Sequence, residues 1–421
     1  MNYFAAMTRI SDFRLLAAGM TLSWLGGGFQ TVALAVAIIV AGGGAGDLGL
    51  VMGSSVVAMV ACTLVGGVWA DRLQPTRVMV LSDAVRFATT GAMALMFATD
   101  SYHLPLLCGL AAVSAGAGSF FNPAMMSLKP LLVSVERRQS TNATMSLLQA
   151  TCAVIGPAIG GVVVARFGAP AGFAVNAVSF LASLLAALLI RARADRQPRT
   201  GMLSELGEGW REIRSRDWLL VGVLAATIYH IANGVILVLV QVVAFERLGG
   251  ASSLGLIAAA EGLGGVLGAA LAIRFRPRRL LRAGWLTLLL MPLWAFAYVW
   301  PAVLVAVLAG AIIGYAGLSF FGVAWETAIQ DHIPHRSLGK VASWDQLTSF
   351  IAMPLGNVLA GPLSTAYGID PVLVVCGFVL LGAGGAPLLA RGSRRLTRPA
   401  PGAALPEPVL PPEIRAETTG V

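Results

Sequence analysis

Charge is scarce in this sequence. Only 12% of the 421 residues are charged, while 57% belong to the hydrophobic set. Ordinary soluble domains carry about 25% charged and about 45–50% apolar residues. So few polar groups could not cover the surface of a soluble chain this long, which excludes an ordinary cytosolic enzyme, a disordered protein and a secreted disulfide scaffold. Cysteine is sparse too: Cys62, Cys108, Cys152 and Cys376 all lie inside apolar runs, without metal-ligand or redox spacing. Lysine occurs only at Lys129 and Lys340. No Walker A sequence is present, so the chain offers no ATPase of its own. A cleavable signal is also lacking, because the first apolar run is too long for an h-region and ends in Gly42-Gly43-Gly44 without a cleavage pattern. What remains is a polytopic membrane protein.

Apolar stretches long enough to cross a core of about 30 Å recur along the chain. They predict twelve helices at 13–40, 47–70, 78–99, 104–128, 141–166, 170–190, 218–245, 253–273, 281–300, 302–327, 340–366 and 371–390. Helices satisfy their own backbone polar groups in lipid, and the alternating short strands of a membrane barrel are absent. The charge pattern supports the count. Of the 29 basic residues, all but Arg166 and Arg247 fall in gaps on one side. The positive-inside rule makes that side cytoplasmic, with both termini there. The formal net charge of +9 therefore reads as topology and not as a nucleic-acid surface.

The long polar break divides the chain into a six-helix bundle over 1–190, a cytoplasmic loop over 191–217 and a second six-helix bundle over 218–391. Ser204–Trp210 reads as a short interfacial helix, and the Pro-rich tail over 392–421 as disordered. The halves echo each other. Ser119-Phe120-Phe121 recurs as Ser319-Phe320-Phe321, and Gly156, Gly161 and Gly168 meet Gly356, Gly361 and Gly368, all at an offset of 200. Leu48-Gly49-Leu50 recurs as Leu254-Gly255-Leu256 at an offset of 206. Repeated halves are the usual build of secondary transporters, with the substrate site between them.

Two motifs add to this plan. Gly67-Val68-Trp69-Ala70-Asp71-Arg72-Leu73-Gln74-Pro75-Thr76-Arg77 follows the second span, and Cys152-Ala153-Val154-Ile155-Gly156-Pro157-Ala158-Ile159-Gly160-Gly161 lies on the fifth. With the two-bundle plan they resemble the major facilitator superfamily over about residues 10–391, in its bacterial drug-, siderophore- and macrolide-exporter-like branch. The resemblance implies an all-α fold of two pseudo-symmetric six-helix bundles. It makes Gly67, Asp71, Arg72 and Arg77 a conformational latch, although Gln74 and Pro75 stand where the family has its second Gly. A charged pair at a helix end can hold one conformer and break in another. The resemblance also makes Gly156, Pro157, Gly160 and Gly161 an exporter-type motif, with Cys152 in place of a usual Gly. Its glycines permit close helix approach.

Polar groups at membrane depth are the default functional candidates. Tyr229 and Asn233 share a face of the seventh span. Family geometry puts the first, fourth, seventh and tenth spans around a cavity, so Gln30, Asn122, Tyr229, Asn233 and Glu326 are candidate lining residues. For each amide or hydroxyl the plainer alternative is an interhelical hydrogen bond, and for Glu326, close to the cytoplasmic end, it is an ordinary interfacial acid. Asp83 and Arg86 read as a structural pair. Gly262-Leu263-Gly264-Gly265-Val266-Leu267-Gly268 imitates a dinucleotide loop, but it lies inside a span and reads as packing. Asp331-His332-Ile333-Pro334-His335 lacks a third firm ligand for a metal. Glu261 is a lone carboxylate near the middle of the eighth span, where an anion is costly. It is the first candidate to carry a coupling proton, with His230 second.

The expected activity is proton-driven efflux of a bulky, fairly apolar small molecule by a monomer in the bacterial inner membrane, with no cofactor and no metal. Nutrient import on the same fold is the rival reading. A non-transporting membrane receptor or assembly protein is the other, and the Asp71-Arg72 latch argues against it.

Overall fold

The computed structural model describes residues 3–70, 74–132, 138–191, 210–275, 277–299, 301–333 and 335–397. Among them the secondary structure is helical throughout. The first half contains α1 (Tyr3–Val40), α2 (Ala45–Ala70), α3 (Pro75–Ala98), α4 (Leu104–Leu132), α5 (Arg138–Phe167) and α6 (Ala169–Leu189). The second contains α7 (Asp217–Arg247), α8 (Ala251–Arg274), α9 (Leu280–Leu288), α10 (Pro292–Phe296), α11 (Leu304–His332), α12 (His335–Tyr367) and α13 (Ile369–Gly385), followed by the short α14 (Arg391–Arg395). Ten of these helices are long and apolar enough to cross a membrane by themselves. The broken α9–α10 segment and α12 occupy the other two predicted spans. Large apolar side chains such as Leu95, Phe167, Ile273, Val305 and Phe378 are exposed on the outside of the bundle. Lipid, and not water, is the solvent that accounts for such a surface.

The helices enter and leave at two unlike ends. One end has tight turns at Gly42, Asp100, Gly168, Gly249-Gly250 and Gly368, all with positive φ. Gly168 (φ 80°) and Gly368 (φ 81°) are related by the repeat, and each makes the turn into the next helix. A backbone there favours a residue without Cβ. Arg166 and Arg247 lie at this short-loop end, opposite the chain termini. Tyr102 donates to Asp47 at 3.1 Å there and ties the entry of α4 to α2. Burial first, and then the Asp47 charge, holds that phenol above its ordinary range. Arg247 pairs with Asp370 at 2.7 Å, which ties α7 to α13.

The packing repeats as the sequence does. In the first half α1 packs on α5 and α6, α2 on α4, and α3 on α4 and α6. In the second, α7 packs on α12 and α13, α8 on α11, and the α9–α10 segment on α11 and α13. The halves meet along two seams, α5 against α8 and α2 against α12.

The ninth span departs from the expected continuous helix over 281–300. It is cut between Leu288 and Pro292. Pro292 has no N–H to return to the preceding turn. The chain bridges the gap with tighter i→i−3 bonds, Met291 to Leu288, Leu293 to Leu290 and Trp294 to Met291. Two other boundaries differ. α1 begins at Tyr3 and not near Phe13. The first residues of the tail are also packed: Ser393 is buried, the Gly392 N–H donates to Asp217 at 3.1 Å, and His332 Nε2 meets the Thr397 carbonyl at 3.1 Å. The predicted interfacial helix over Ser204–Trp210 lies outside the described residues except for Trp210. That residue starts a helical turn over 210–214 and packs, tilted, on Trp344 of α12, with centroids 5.1 Å apart.

Candidate functional site

The two seams between the halves are built on glycine. On α5, Gly156 and Gly160 face α1: a Cβ at Gly156 would lie 3.0 Å from the Leu25 carbonyl oxygen, and one at Gly160 would lie 2.9 Å from the Phe29 Cα. Gly161 faces the other way, where a Cβ would lie 2.8 Å from the Gly255 Cα on α8. Pro157 serves both sides. Its ring meets Gly28 of α1, and its carbonyl would lie 2.5 Å from a Cβ on Gly255. The Gly-Pro-x-x-Gly-Gly motif therefore joins its own bundle to the opposite one. The second seam is the repeat of the first: Gly49 of α2 lies against the Asn357 carbonyl of α12, and Gly46 against Gly361. These contacts, from Gly46 to Gly53 on α2 and from Ala153 to Gly161 on α5, lie in the parts of the seams nearer the short-loop end. In this conformer the halves are closed together there.

The Gly-rich stretch of α8 is likewise a packing device. Gly264 and Gly268 lie against the carbonyls of Ile312 and Ala316 on α11, and Gly262 lies against that of Ala153 on α5. This close approach brings α11 to the Glu261 side chain. The carboxylate hydrogen-bonds Tyr315 of α11 and faces the Trp294 indole of α10. Trp294 stands perpendicular to Tyr315, with centroids 5.4 Å apart, and to Tyr298, at 6.1 Å. Its Cα fits against Gly310 and its Cβ against Gly314 of α11. Tyr229 of α7 lies close enough to Tyr315 to interact with it. Glu261 is half-buried, while Trp294 and Tyr298 are fully buried. Glu261 thus sits one residue from an inter-half contact and inside a nest of aromatic donors.

The other predicted residues fall in different places. Gln30 accepts a short hydrogen bond from Asn176 of α6, so it is engaged within the first bundle. Tyr229 and Asn233 share a buried face of α7, each with an unpartnered oxygen. His230 turns its Nδ1 to the Ala226 carbonyl of its own helix at 2.6 Å. Glu326 is exposed on the last two turns of α11, which ends at His332. Among the described residues, no hydrogen bond joins Gln30 or Glu326 to Tyr229 or Asn233. Asp71 and Arg72 of the latch lie outside the described residues, as does the side chain of Asn122. Gly67 belongs to the last turn of α2, and Arg77 is exposed on the first turn of α3. Asp83 and Arg86 do pair, at 3.3 Å, and Arg86 also lies 3.8 Å over the Phe180 ring.

Sequence reasoning missed Trp294, Tyr298 and Tyr315. A signal for two of them was present: Trp294 and Tyr298 are four residues apart and share a helix face behind Pro292. It missed Asn357 as well, whose amide is buried with both polar atoms unpartnered.

Comparison with known proteins accords with this architecture. A family model described as Major Facilitator Superfamily matches residues 16–357. The multidrug efflux pump Tap of Mycolicibacterium fortuitum is 26% identical over 393 residues, covering 88% of this chain and 92% of that protein. A putative bacilysin exporter, BacE of Bacillus subtilis (strain 168), is 23% identical over 322 residues, covering 75% of this chain and 79% of that protein. Among solved structures, an inward-facing bacterial homolog of the human lysosomal transporter Spinster superposes with a TM-score of 0.74 at 17% identity, covering 94% of this chain and 99% of that one. The nucleoside transporter NupG superposes with a TM-score of 0.70 at 13% identity, covering 92% and 99%.

Proposed function

The chain belongs to the major facilitator superfamily, and from that membership we propose that it is an exporter of bulky, fairly apolar small molecules, driven by protons and working by alternating access. It is a multi-pass membrane transporter and not an enzyme. The further reading puts it in a bacterial inner membrane with both termini in the cytoplasm. Efflux rests on one observation above the others: the fifth-span motif forms the α5–α8 seam, in a chain similar along most of its length to a multidrug efflux pump. A seam of backbone against glycine closes tightly and separates without leaving a polar side chain exposed. Rocking the halves about such seams, with the substrate between them, is how repeated-half transporters alternate access.

Proton coupling rests on Glu261. It is a carboxylate at mid-span of α8, and its neighbour Gly262 is itself an inter-half contact, packed against the Ala153 carbonyl of α5. A change of charge at Glu261 therefore has only one residue to cross before it reaches the seam.

The test uses everted membrane vesicles with ethidium as the probe. Wild-type vesicles should accumulate ethidium when a pH gradient is imposed, acid inside. Glu261→Gln keeps shape and hydrogen bonding but cannot ionise, so it should abolish uphill accumulation and retain downhill exchange. Gradient-driven accumulation by Glu261→Gln would move the proton site elsewhere, with His230 next. Uptake in the opposite sense by intact cells would favour an importer.

A further inference from the structure

Two buried hydrogen-bond donors beside Glu261, the Trp294 Nε1 and the Tyr298 hydroxyl, have no partner of ordinary geometry, and a third, the Tyr229 hydroxyl, lies behind Tyr315. The Trp294 N–H is within reach of both the Glu261 carboxylate and the Tyr298 hydroxyl and closes an ordinary bond with neither. A buried donor left unmade is costly, and native interiors hold few of them. Two beside a single carboxylate, with a third one ring away, point to a second state of the site in which they are used. An ionised carboxylate accepts at about four lone-pair positions, whereas a protonated one also has a donor of its own to place. Donors outnumber acceptors here, which suits the anion.

Among the described residues, no charge competes for that role. From α11 Glu261 meets Tyr315, from α10 Trp294, and beyond them Tyr298 and, on α7, Tyr229 with His230 edge-on beside it at 5.4 Å. From α5 the nearest groups to the adjacent Gly262 are Ala153 and Val154. Among the described residues, the side chains that meet the Glu261 carboxylate are uncharged. Neutral donors are then, among the described residues, what holds its negative charge. Trp294 and Tyr298 also ride on the interrupted ninth span, whose i→i−3 turns on both sides of Pro292 lack the continuous ladder of an α-helix. A short segment held in this way can adjust by the small distance that closing a hydrogen bond requires.

We infer that Trp294 and Tyr298 are positioning residues that close on the Glu261 carboxylate when its proton leaves, so that the interrupted ninth span is the element that reads the protonation state. The inference rests on Glu261 as the proton carrier. No bond is made or broken beyond the carboxyl O–H: the proton goes to water, and the two donors turn their hydrogens to the vacated oxygen.

The test reads Glu261 directly and needs no substrate. Full-length protein in lipid is titrated by infrared spectroscopy, following the carboxyl C=O band that disappears in Glu261→Gln. Tyr298→Phe and Trp294→Phe each remove one donor and keep a ring. Each should let the protonated band persist to a pH about one to two units higher than in the parent, the shift expected from one hydrogen bond to a charged group. A double variant should persist further still. If no titrating band is lost in Glu261→Gln, Glu261 is not the proton carrier and the reading beneath the inference fails. If that band is present and both single variants titrate with the parent, the carrier stands and the donor role is overturned. If both variants lose the helical spectrum of the parent, the residues are packing residues only and the inference is again overturned.

Discussion

Replacing Gly255 by Ala tests whether the glycine seams hold the short-loop end shut. The added Cβ would lie 2.5 Å from the Pro157 carbonyl oxygen, 2.8 Å from the Gly161 Cα and 3.0 Å from the Gly161 nitrogen. All three are backbone atoms of α5, so no flexible side chain can swing away. The two halves must part by several tenths of an ångström along the seam. Overpacking of this kind costs about 1–3 kcal/mol. The cost falls only on the conformer in which α5 and α8 touch, so it changes a two-state balance about 5- to 150-fold. Starting from an even split, the closed form would fall to between about one-sixth and less than one-hundredth of the population.

The same helix supplies its control. A Cβ added at Gly265 would meet nothing within 4 Å. Gly265→Ala should therefore leave the balance alone and, through helix propensity, stabilise α8 by up to about 1 kcal/mol. The assay is a spin-label distance measurement between Cys introduced at Asp100 and Val303, exposed at the short-loop end of the first and second halves. Cys62, Cys108, Cys152 and Cys376 are replaced first. Gly255→Ala should move the distribution to longer distances, and Gly265→Ala should match the parent. A Gly255→Ala protein that folds normally and keeps the parent distribution would refute the reasoning.

Topology and the loop motif each give a further expected outcome. In a cysteine-free background, single cysteines at Ala45 and Asp100 should label in intact cells, and one at Gln197 only after permeabilisation; labelling of Gln197 in intact cells would overturn the assigned orientation. Asp71→Asn should lower ethidium efflux without lowering expression, because a bond to a charged group is worth about 1.5–3 kcal/mol; unimpaired efflux at normal expression would count against a latch.

The fold was legible because lipid leaves the chain few choices. A run of about 20 apolar residues must be helical across the membrane. The repeat was legible because the seams need residues without side chains at fixed places. Gly49 and Gly255, matched at an offset of 206, both receive a carbonyl from the opposite half. Those carbonyls belong to Pro157 and Asn357, matched at an offset of 200. The break at Pro292 was hidden for the opposite reason: hydropathy does not change across Leu289–Phe296, and only the missing N–H of one residue marks the interruption.

Side-chain roles were legible only where chemistry left one option. Periodicity fixes the angle between two residues of a helix but not how the helix is rotated in its bundle. Its place on the first span assigns Gln30 to a cavity, yet α1 is turned so that the Gln30 amide meets Asn176 on α6. The close fit of α1 and α6 explains that rotation, since a Cβ at Gly26 would lie 2.6 Å from the Asn176 Oδ1. That contact joins the first span to the sixth and leaves no trace in the local pattern. Glu261 differs because a carboxylate at mid-span has to find donors whichever way its helix faces. Its identity alone therefore predicts a special environment, while the donors that supply it come from other helices, whose positions depend on Gly264, Gly268, Gly310 and Gly314. Glycine patterns thus carry more of the site's geometry than its polar residues do, because they decide which helices can come close enough to share a proton.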